Sequence, residues 1–362
     1  MPDSSDTSPP QRQVWRWGVI AVAVMILALA FAYVGGWLTP RRLTPQRIVN
    51  ALQDNGGVHP GYRRNHAKGI CVAGYFEGSG AASAYSTASV FGNVRTPVVG
   101  RFAIPGGNPY APDGSTAIRS LALRFDLPHG QQWRTGMNNI PVFVVATPEA
   151  FYQLTVATRP DPATGKPDPA RAGAFFASHP EAAAFLAWAK SHKPSASFAT
   201  DSYDALDAFY LVDAHGQQHA ARWRVVPEAS DEVGAAPKSD DNDFLSQDLQ
   251  QRLAAAPQRW RLLVTLAAPG DPTNDATKAW PVDRTTIDAG TLVIESEQPQ
   301  DSGPCRDINY DPTVLPEGIR ISDDPLLPAR SAAYADSYLR RTREEAHFPG
   351  TAQADAAKPE SK

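Results

Sequence analysis

Residues 63–78 read RRNHAKGICVAGYFEG, and the alternation in this stretch sets how the rest of the chain is read. Taken as a strand, it puts His66, Lys68, Ile70, Val72 and Gly74 on one face, with Ala67, Cys71, Ala73 and Tyr75 on the other. Small residues on one side suit the close approach of something flat or bulky. A histidine there has the right chemistry for a general acid–base near neutral pH, although a lone histidine in a strand is more often structural. On this parity Cys71 faces away from His66.

Similar apolar runs follow in TPVVGRFAI (96–104), SLALRFDL (120–127) and IPVFVVA (140–146), broken by Gly, Pro and Asn. Helical spacing takes over in PEAFYQLTVAT (148–158) and HPEAAAFLAWAKSH (179–192). Strands return in DAFYLVDAHGQQHAARWRVVP (207–227), with Gly216 at the hairpin turn. A helix over 241–255, strands over 260–268 and 289–296, and a last helix over 328–345 complete the pattern. Such grouping predicts an α+β fold with an antiparallel sheet; whether the sheet closes is not visible in the pattern.

Before residue 63 one segment stands apart. Gly18 to Leu38 holds 21 residues without a charge, roughly 31 Å of helix and enough to span a hydrocarbon core. Trp15, Trp17, Tyr33 and Trp37 flank it as interfacial aromatics do. A cleaved signal peptide ending near Ala30-Phe31-Ala32 is the alternative, but the apolar run is long for that role. The expected organisation is a polar tail over 1–17, a transmembrane helix over 18–38, one domain over 39–348 and a disordered tail over 349–362. A short helix is expected over 46–54, with Ile48 and Leu52 on one face. The net charge of −4 gives no reason to expect a nucleic-acid partner. Two cysteines are too few for a disulfide scaffold or a zinc cage, and allow one disulfide.

The last helix places Arg330, Tyr334, Tyr338 and Arg341 on one face, at spacings of four, four and three. A phenol ordinarily keeps its proton to about pH 10, and a guanidinium one turn away favours the anion. Tyrosinate is a proximal ligand to haem iron, and arginine pairs with carboxylates such as propionates. On spacing alone, an exposed amphipathic helix whose tyrosines pack by their rings is the leading account.

Taken together, these segments resemble the haem catalases. Arg63-x-x-His66-Ala67-Lys68-Gly69 is similar to their distal-histidine segment, and Arg330-x-x-x-Tyr334, followed by Arg341, to their proximal helix. RTPVVGRFA (95–103), MNNIPVF (137–143), TKAWP (277–281) and INYDPTVLPEGI (308–319) match further signatures in order, so the resemblance covers roughly 48–345. It implies a catalase-like antiparallel β-barrel core carrying haem b. Tyr334 would ligate the iron with Arg330 supporting the anion, and Asp324 would pair with Arg330. Arg63, Arg101 and Arg341 would neutralise propionates, and Phe151 would stack on the ring. His66 would take a proton from peroxide and return it to the departing oxygen, with Asn138 polarising the O–O bond.

The departures matter too. Ala103 stands where the family has a serine bonded to the distal histidine, Asn65 replaces an apolar residue, and Asp207 replaces a histidine behind the proximal arginine. The chain also lacks room for the long arm and extra helices of full-length catalases. The expected activity is that of a short catalase-related peroxidase, reducing organic peroxides or hydrogen peroxide with an unidentified electron donor. True catalase dismutation, or isomerisation of fatty-acid hydroperoxides as by an allene oxide synthase, stays open as an alternative. The expected location is a bacterial inner membrane with the haem domain outside the cytoplasm.

Overall fold

The computed structural model describes residues 11–35, 37–38, 42–228 and 241–347. Its centre is a closed antiparallel barrel. Strands β1 (Gly69–Gly78), β2 (Arg95–Ala103), β3 (Ser120–Asp126), β4 (Gln132–Asn138) and β5 (Tyr203–Asp204) pair in sequence from β1 to β4, with β5 on β4. Strands β6 (Phe209–Val212), β7 (Gln218–Pro227), β8 (Gln258–Leu266), β9 (Thr286–Pro299) and β10 (Ile319–Ile321) complete the sheet. β7 bonds to both β5 and β8, and β9 to β1, which closes eight strands; β6 and β10 extend the wall from β7. Closure leaves no barrel edge unpaired.

Alternation fills the interior. Leu121, Leu123 and Phe125 from β3 face Trp133 and Met137 from β4, and Phe102, Trp223 and Trp260 complete the packing. Trp133 stacks on Phe125 at 4.6 Å and meets Trp223 edge-on at 5.0 Å. The outward residues of the same strands form two short rows. Cross-strand register lines up Cys71, Arg101, Ala122 and Gly136 in one, and Gly69, Ala103, Ser120 and Asn138 in the next.

Helices α1 (Gln11–Val34), α2 (Pro45–Gly56), α3 (Pro148–Ala157), α4 (Pro169–Ser178), α5 (Ala183–Ser191), α6 (Phe244–Ala255) and α7 (Leu326–His347) surround the barrel or precede it. Thr44 caps α2, its Oγ1 accepting from Arg47 N at 3.3 Å, and Pro45 opens the helix with a fixed φ. α2 packs on α7 and α3.

Several sequence expectations need correction. IPVFVVA is not a strand: Pro141 removes a ladder donor, and Val144 and Val145 pack with Ala150, Phe175 and Ala182 instead. The strand of that region is β4, whose outward Gln132, Arg134, Gly136 and Asn138 hid its period. α4 was not expected, and the expected 179–192 helix begins as a 3₁₀ turn over Pro180–Ala182. His66 lies ahead of β1, so strand parity does not extend to it. Residues 11–17, the end of the expected polar tail, belong to α1, because an established apolar helix extends at little cost. The expectations for residues 1–10 and 349–362 lie outside the described residues.

An apolar span of 21 residues, Val14–Val34, lies within α1, with none of its most apolar window buried against the protein. By length and composition it is either a membrane span or a signal sequence. Cys71 and Cys305 form a disulfide across 234 residues of sequence.

Candidate active site

The two outward rows of the barrel form one wall of a cavity of about 240 Å³, counted as space open to the centre of a water molecule. Arg63, His66, Arg101, Asn138, Phe151, Arg330, Tyr334 and Arg341 all line it, so the sequence-predicted residues meet in one place. Ala103, Ala122 and Gly136 keep that wall low. A side-chain carbon at Gly136 would stand 3.3 Å from Arg330 Nη2 and 3.9 Å from the Tyr334 hydroxyl, so the glycine lets α7 lie against β4.

His66 reaches the cavity from a turn rather than a strand. Its φ of +54° is left-handed, a conformation that costs about 1–3 kcal/mol for a residue with a side chain. Asn65 holds the turn: its Oδ1 accepts from His66 N and Gly106 N, each at 2.9 Å. Ala67 N donates to Gly106 O at 2.8 Å. The next glycine also has a steric reason. A side-chain carbon at Gly69 would come within 2.7 Å of the Arg101 guanidinium, which must pass there to donate to Ala67 O at 3.2 Å.

Burial in the cavity, reinforced by Arg101, Arg330 and Arg63, pushes the His66 imidazole pKa down to about 3. The ring is therefore neutral and able to accept a proton over the whole physiological range. Its Nδ1 is buried and, among the described residues, has no hydrogen-bond partner. One row along, Ser120 Oγ donates to Asn138 Oδ1 at 2.6 Å, leaving the Asn138 amide NH₂ as the group with protons to give. Sequence reading passed over Ser120, although its place two residues before Ala122 on a strand put it on the same outward face.

The arginines have an unusual environment. Arg63 donates to the carbonyls of Cys305 and Ile308 at 3.0 Å and of Arg306 at 3.2 Å. Arg101 donates to Gln300 Oε1 at 2.5 Å, and Arg341 to Arg306 O. Among the described residues none of these three is paired with a carboxylate. Burial first, then mutual repulsion with Arg101 and Arg341, drives Arg63 well below its ordinary pKa. Burial likewise lowers Arg101 to about 10 and lowers Arg341. Two buried guanidinium groups, Arg101 and Arg341, and a partly buried third, Arg63, favour an anion among them.

Arg330 differs from these. Burial works against its charge, but the Asp207 carboxylate and the Tyr334 phenol outweigh it and raise its pKa. Its ion pair is with Asp207, which corrects the expected pairing with Asp324. Asp324 instead caps α7, its Oδ1 accepting from Leu326 N at 2.9 Å, while its Oδ2 has no partner among the described residues. Burial, followed by the neighbouring Asp207 charge, raises Asp324 to about 6. A second carboxylate at 207, where a neutral ring was to be expected, has taken the guanidinium.

The residues present fit a flat dianionic macrocycle: an anion site of arginines without carboxylate partners among the described residues, a low wall of small side chains, and a tyrosine backed by an arginine. Comparison with known proteins agrees. The Catalase family's sequence profile matches residues 60–349. A catalase-related peroxidase of Synechococcus elongatus is 41% identical over 339 residues, covering 92% of this chain and 98% of its own. One from Mycolicibacterium paratuberculosis is 32% identical, covering 83% and 95%. The catalase of Pseudomonas syringae pv. syringae is 28% identical over 76% of this chain, which spans about 56% of that protein. Among solved structures, a fungal catalase superposes with a TM-score of 0.71 at 19% identity, over 79% of this chain and 61% of its own.

The chain belongs to the catalase family. Catalase-related peroxidases match it over most of both chains, and as a member of the family the chain is an oxidoreductase with a haem cofactor.

Proposed function

We propose that this protein is a haem b peroxidase that reduces organic peroxides, and hydrogen peroxide, at the expense of an electron donor. The observation that carries the reading is the meeting, in one cavity, of His66 with three arginines, Arg63, Arg101 and Arg341, that have no carboxylate partner among the described residues. Bound haem would supply the redox chemistry of O–O cleavage. Tyr334 would hold its iron, with Arg330 stabilising the phenolate, and Arg63, Arg101 and Arg341 would hold the propionates. Phe151, whose ring lies 6.0 Å from Phe143 in a stacked pair, would pack on the macrocycle.

On the reacting side, His66 would take the peroxide proton and return it to the leaving oxygen. Asn138, its carbonyl engaged by Ser120, would donate its NH₂ toward the O–O bond. Ile48, Val49 and Leu52 from α2, together with Phe143 and Pro148, give the cavity an apolar flank suited to the organic part of R–O–OH. The unbonded Nδ1 leaves the His66 ring less firmly oriented than a serine at 103 would, a looser arrangement that suits larger peroxides.

The test is stoichiometry. Full-length, haem-loaded protein mixed with an alkyl hydroperoxide and a one-electron donor is expected to give the alcohol and oxidise two donors per peroxide. Oxygen release without donor would replace this reading by dismutation, and a rearranged product formed without donor would replace it by isomerisation.

We further propose that α1 is an uncleaved anchor of a bacterial inner membrane, with residues 39–348 as a domain on the extracytoplasmic side. The Cys71–Cys305 disulfide supports an oxidising compartment. Protease added to intact spheroplasts is expected to digest the domain; protection until lysis would overturn the assignment.

A further inference from the structure

A cluster of His59, Tyr62, Tyr110 and Asp301 lies outside the cavity lining but touches it through two short links. Tyr62 directly precedes Arg63. Asp301 follows Gln300, whose side chain accepts from Arg101. Tyr62 is buried, at 7% exposed, and its hydroxyl donates to Asp301 Oδ2 at 3.4 Å. Its ring lies 6.2 Å from that of Tyr110, within the range of aromatic contact, and the two hydroxyls also interact. Tyr110 is 45% exposed and meets His59 edge-on at 5.8 Å. The series runs from solvent, through two phenols, to the arginine edge of the cavity.

The chemistry of the inner phenol is specific. Burial, then the Asp301 charge, raises the pKa of Tyr62, so it does not ionise by itself. A phenol that holds its proton gives up an electron readily only when a neighbour takes the proton at the same time. Asp301 is placed to do so, and its own pKa is raised by burial, with Tyr62, Arg306 and Arg101 opposing that rise.

We propose that Tyr62 and Tyr110 form a one-electron relay carrying electrons into the cavity from phenolic donors that react at Tyr110. The proposal rests on the peroxidase reading above. In each passage Tyr62 passes an electron inward and its hydroxyl proton to Asp301. Tyr110 then restores Tyr62 by giving a hydrogen atom, and the donor phenol restores Tyr110 in the same way. The O–H bond broken in the donor matches the one formed on the tyrosine, so the transfer runs near balance, which is why phenols are the class that fits. Asp301 releases its proton as the oxygen product takes one up. Two passages give R–O–OH + 2 ArOH → R–OH + H₂O + 2 ArO•, with electrons and protons balanced.

The test uses haem-loaded full-length protein, freeze-quenched after an alkyl hydroperoxide is added without donor, and read by electron paramagnetic resonance. The wild type is expected to show a tyrosyl radical that narrows when the protein is grown on ring-deuterated tyrosine. Tyr62→Phe is expected to lose it and to oxidise phenols roughly 10²-fold more slowly, the scale of removing a positioned proton-transfer group. Tyr110→Phe, altered at the exposed end, is expected to keep the Tyr62 radical but lose phenol oxidation. Tyr85→Phe, a tyrosine packed on His219 at 5.3 Å and away from this cluster, is the control expected to behave as wild type. Normal peroxide consumption with no tyrosyl signal, or phenol oxidation at the wild-type rate in both relay variants, would overturn the relay alone. Wild-type protein that consumes no peroxide would overturn the peroxidase reading and the relay together.

Discussion

Replacing His66 with alanine is expected to slow the reaction with peroxide by about 10²–10⁴-fold, the usual contribution of a positioned general acid–base, while haem content is unchanged. The expectation follows from the state of the ring. Burial and three nearby guanidinium groups hold its pKa near 3, so the imidazole is a proton acceptor at every pH where the protein works. The wild-type rate should therefore stay level as pH falls through 6.5, where a free histidine would titrate, and decline only toward pH 3. In the alanine variant that acid limb should disappear with the activity. The same shift has a stability consequence. Below about pH 6.5 the unfolded chain binds a proton at this position that the folded protein does not. The folded state's advantage from His66 is thus full above that pH and is lost progressively as pH falls toward 3. Stopped-flow rates across pH check the first point, and a variant reacting at the wild-type rate would remove His66 from the mechanism.

Tyr334→Phe is expected to weaken haem retention by at least about 10²-fold, since loss of a mere supporting contact at a metal site already costs 10–100-fold. Tyr338→Phe, one turn further along α7, should leave the spectrum nearly unchanged. Both tyrosines line the cavity, but they differ in their neighbours. Tyr334 lies beside Arg330, which Asp207 holds in place, and under Gly136, which gives it room. Tyr338 presents its ring to Arg341 at 5.3 Å, a contact that phenylalanine retains. Haem titration of the two variants separates these roles. Retention by Tyr334→Phe and loss by Tyr338→Phe would mean that the ligand had been placed one turn too early.

The strands and the last helix were legible because their periods are strong. SLALRFDL alternates apolar and small or charged residues, and one face of it fills the barrel while Ser120 and Ala122 on the other line the cavity. β4 was not legible for a physical reason: only Trp133, Thr135 and Met137 point inward, and the outward side carries polar residues and a glycine. IPVFVVA misled because apolar content without a donor at Pro141 serves loop packing as well as strand packing. His66 shows the limit of parity arguments. A left-handed residue ahead of β1 resets the facing of everything before it, and only the Asn65 and Gly106 contacts reveal that turn. The partner of Arg330 was equally hidden, because Asp207 and Asp324 are both acids and the choice between them depends on where β6 begins and α7 caps. Tyr62, Tyr110 and Asp301 are far apart in sequence and share no motif, so nothing but the folded chain brings them together.

The most direct measurement is the absorption spectrum of the purified full-length protein, in its ferric form and after reduction. A high-spin ferric haem b whose ferrous form lacks the signature of histidine ligation is the predicted result, with Tyr334 as the ligand. A histidine-type ferrous spectrum, or protein that takes up no haem when titrated with it, would contradict the account.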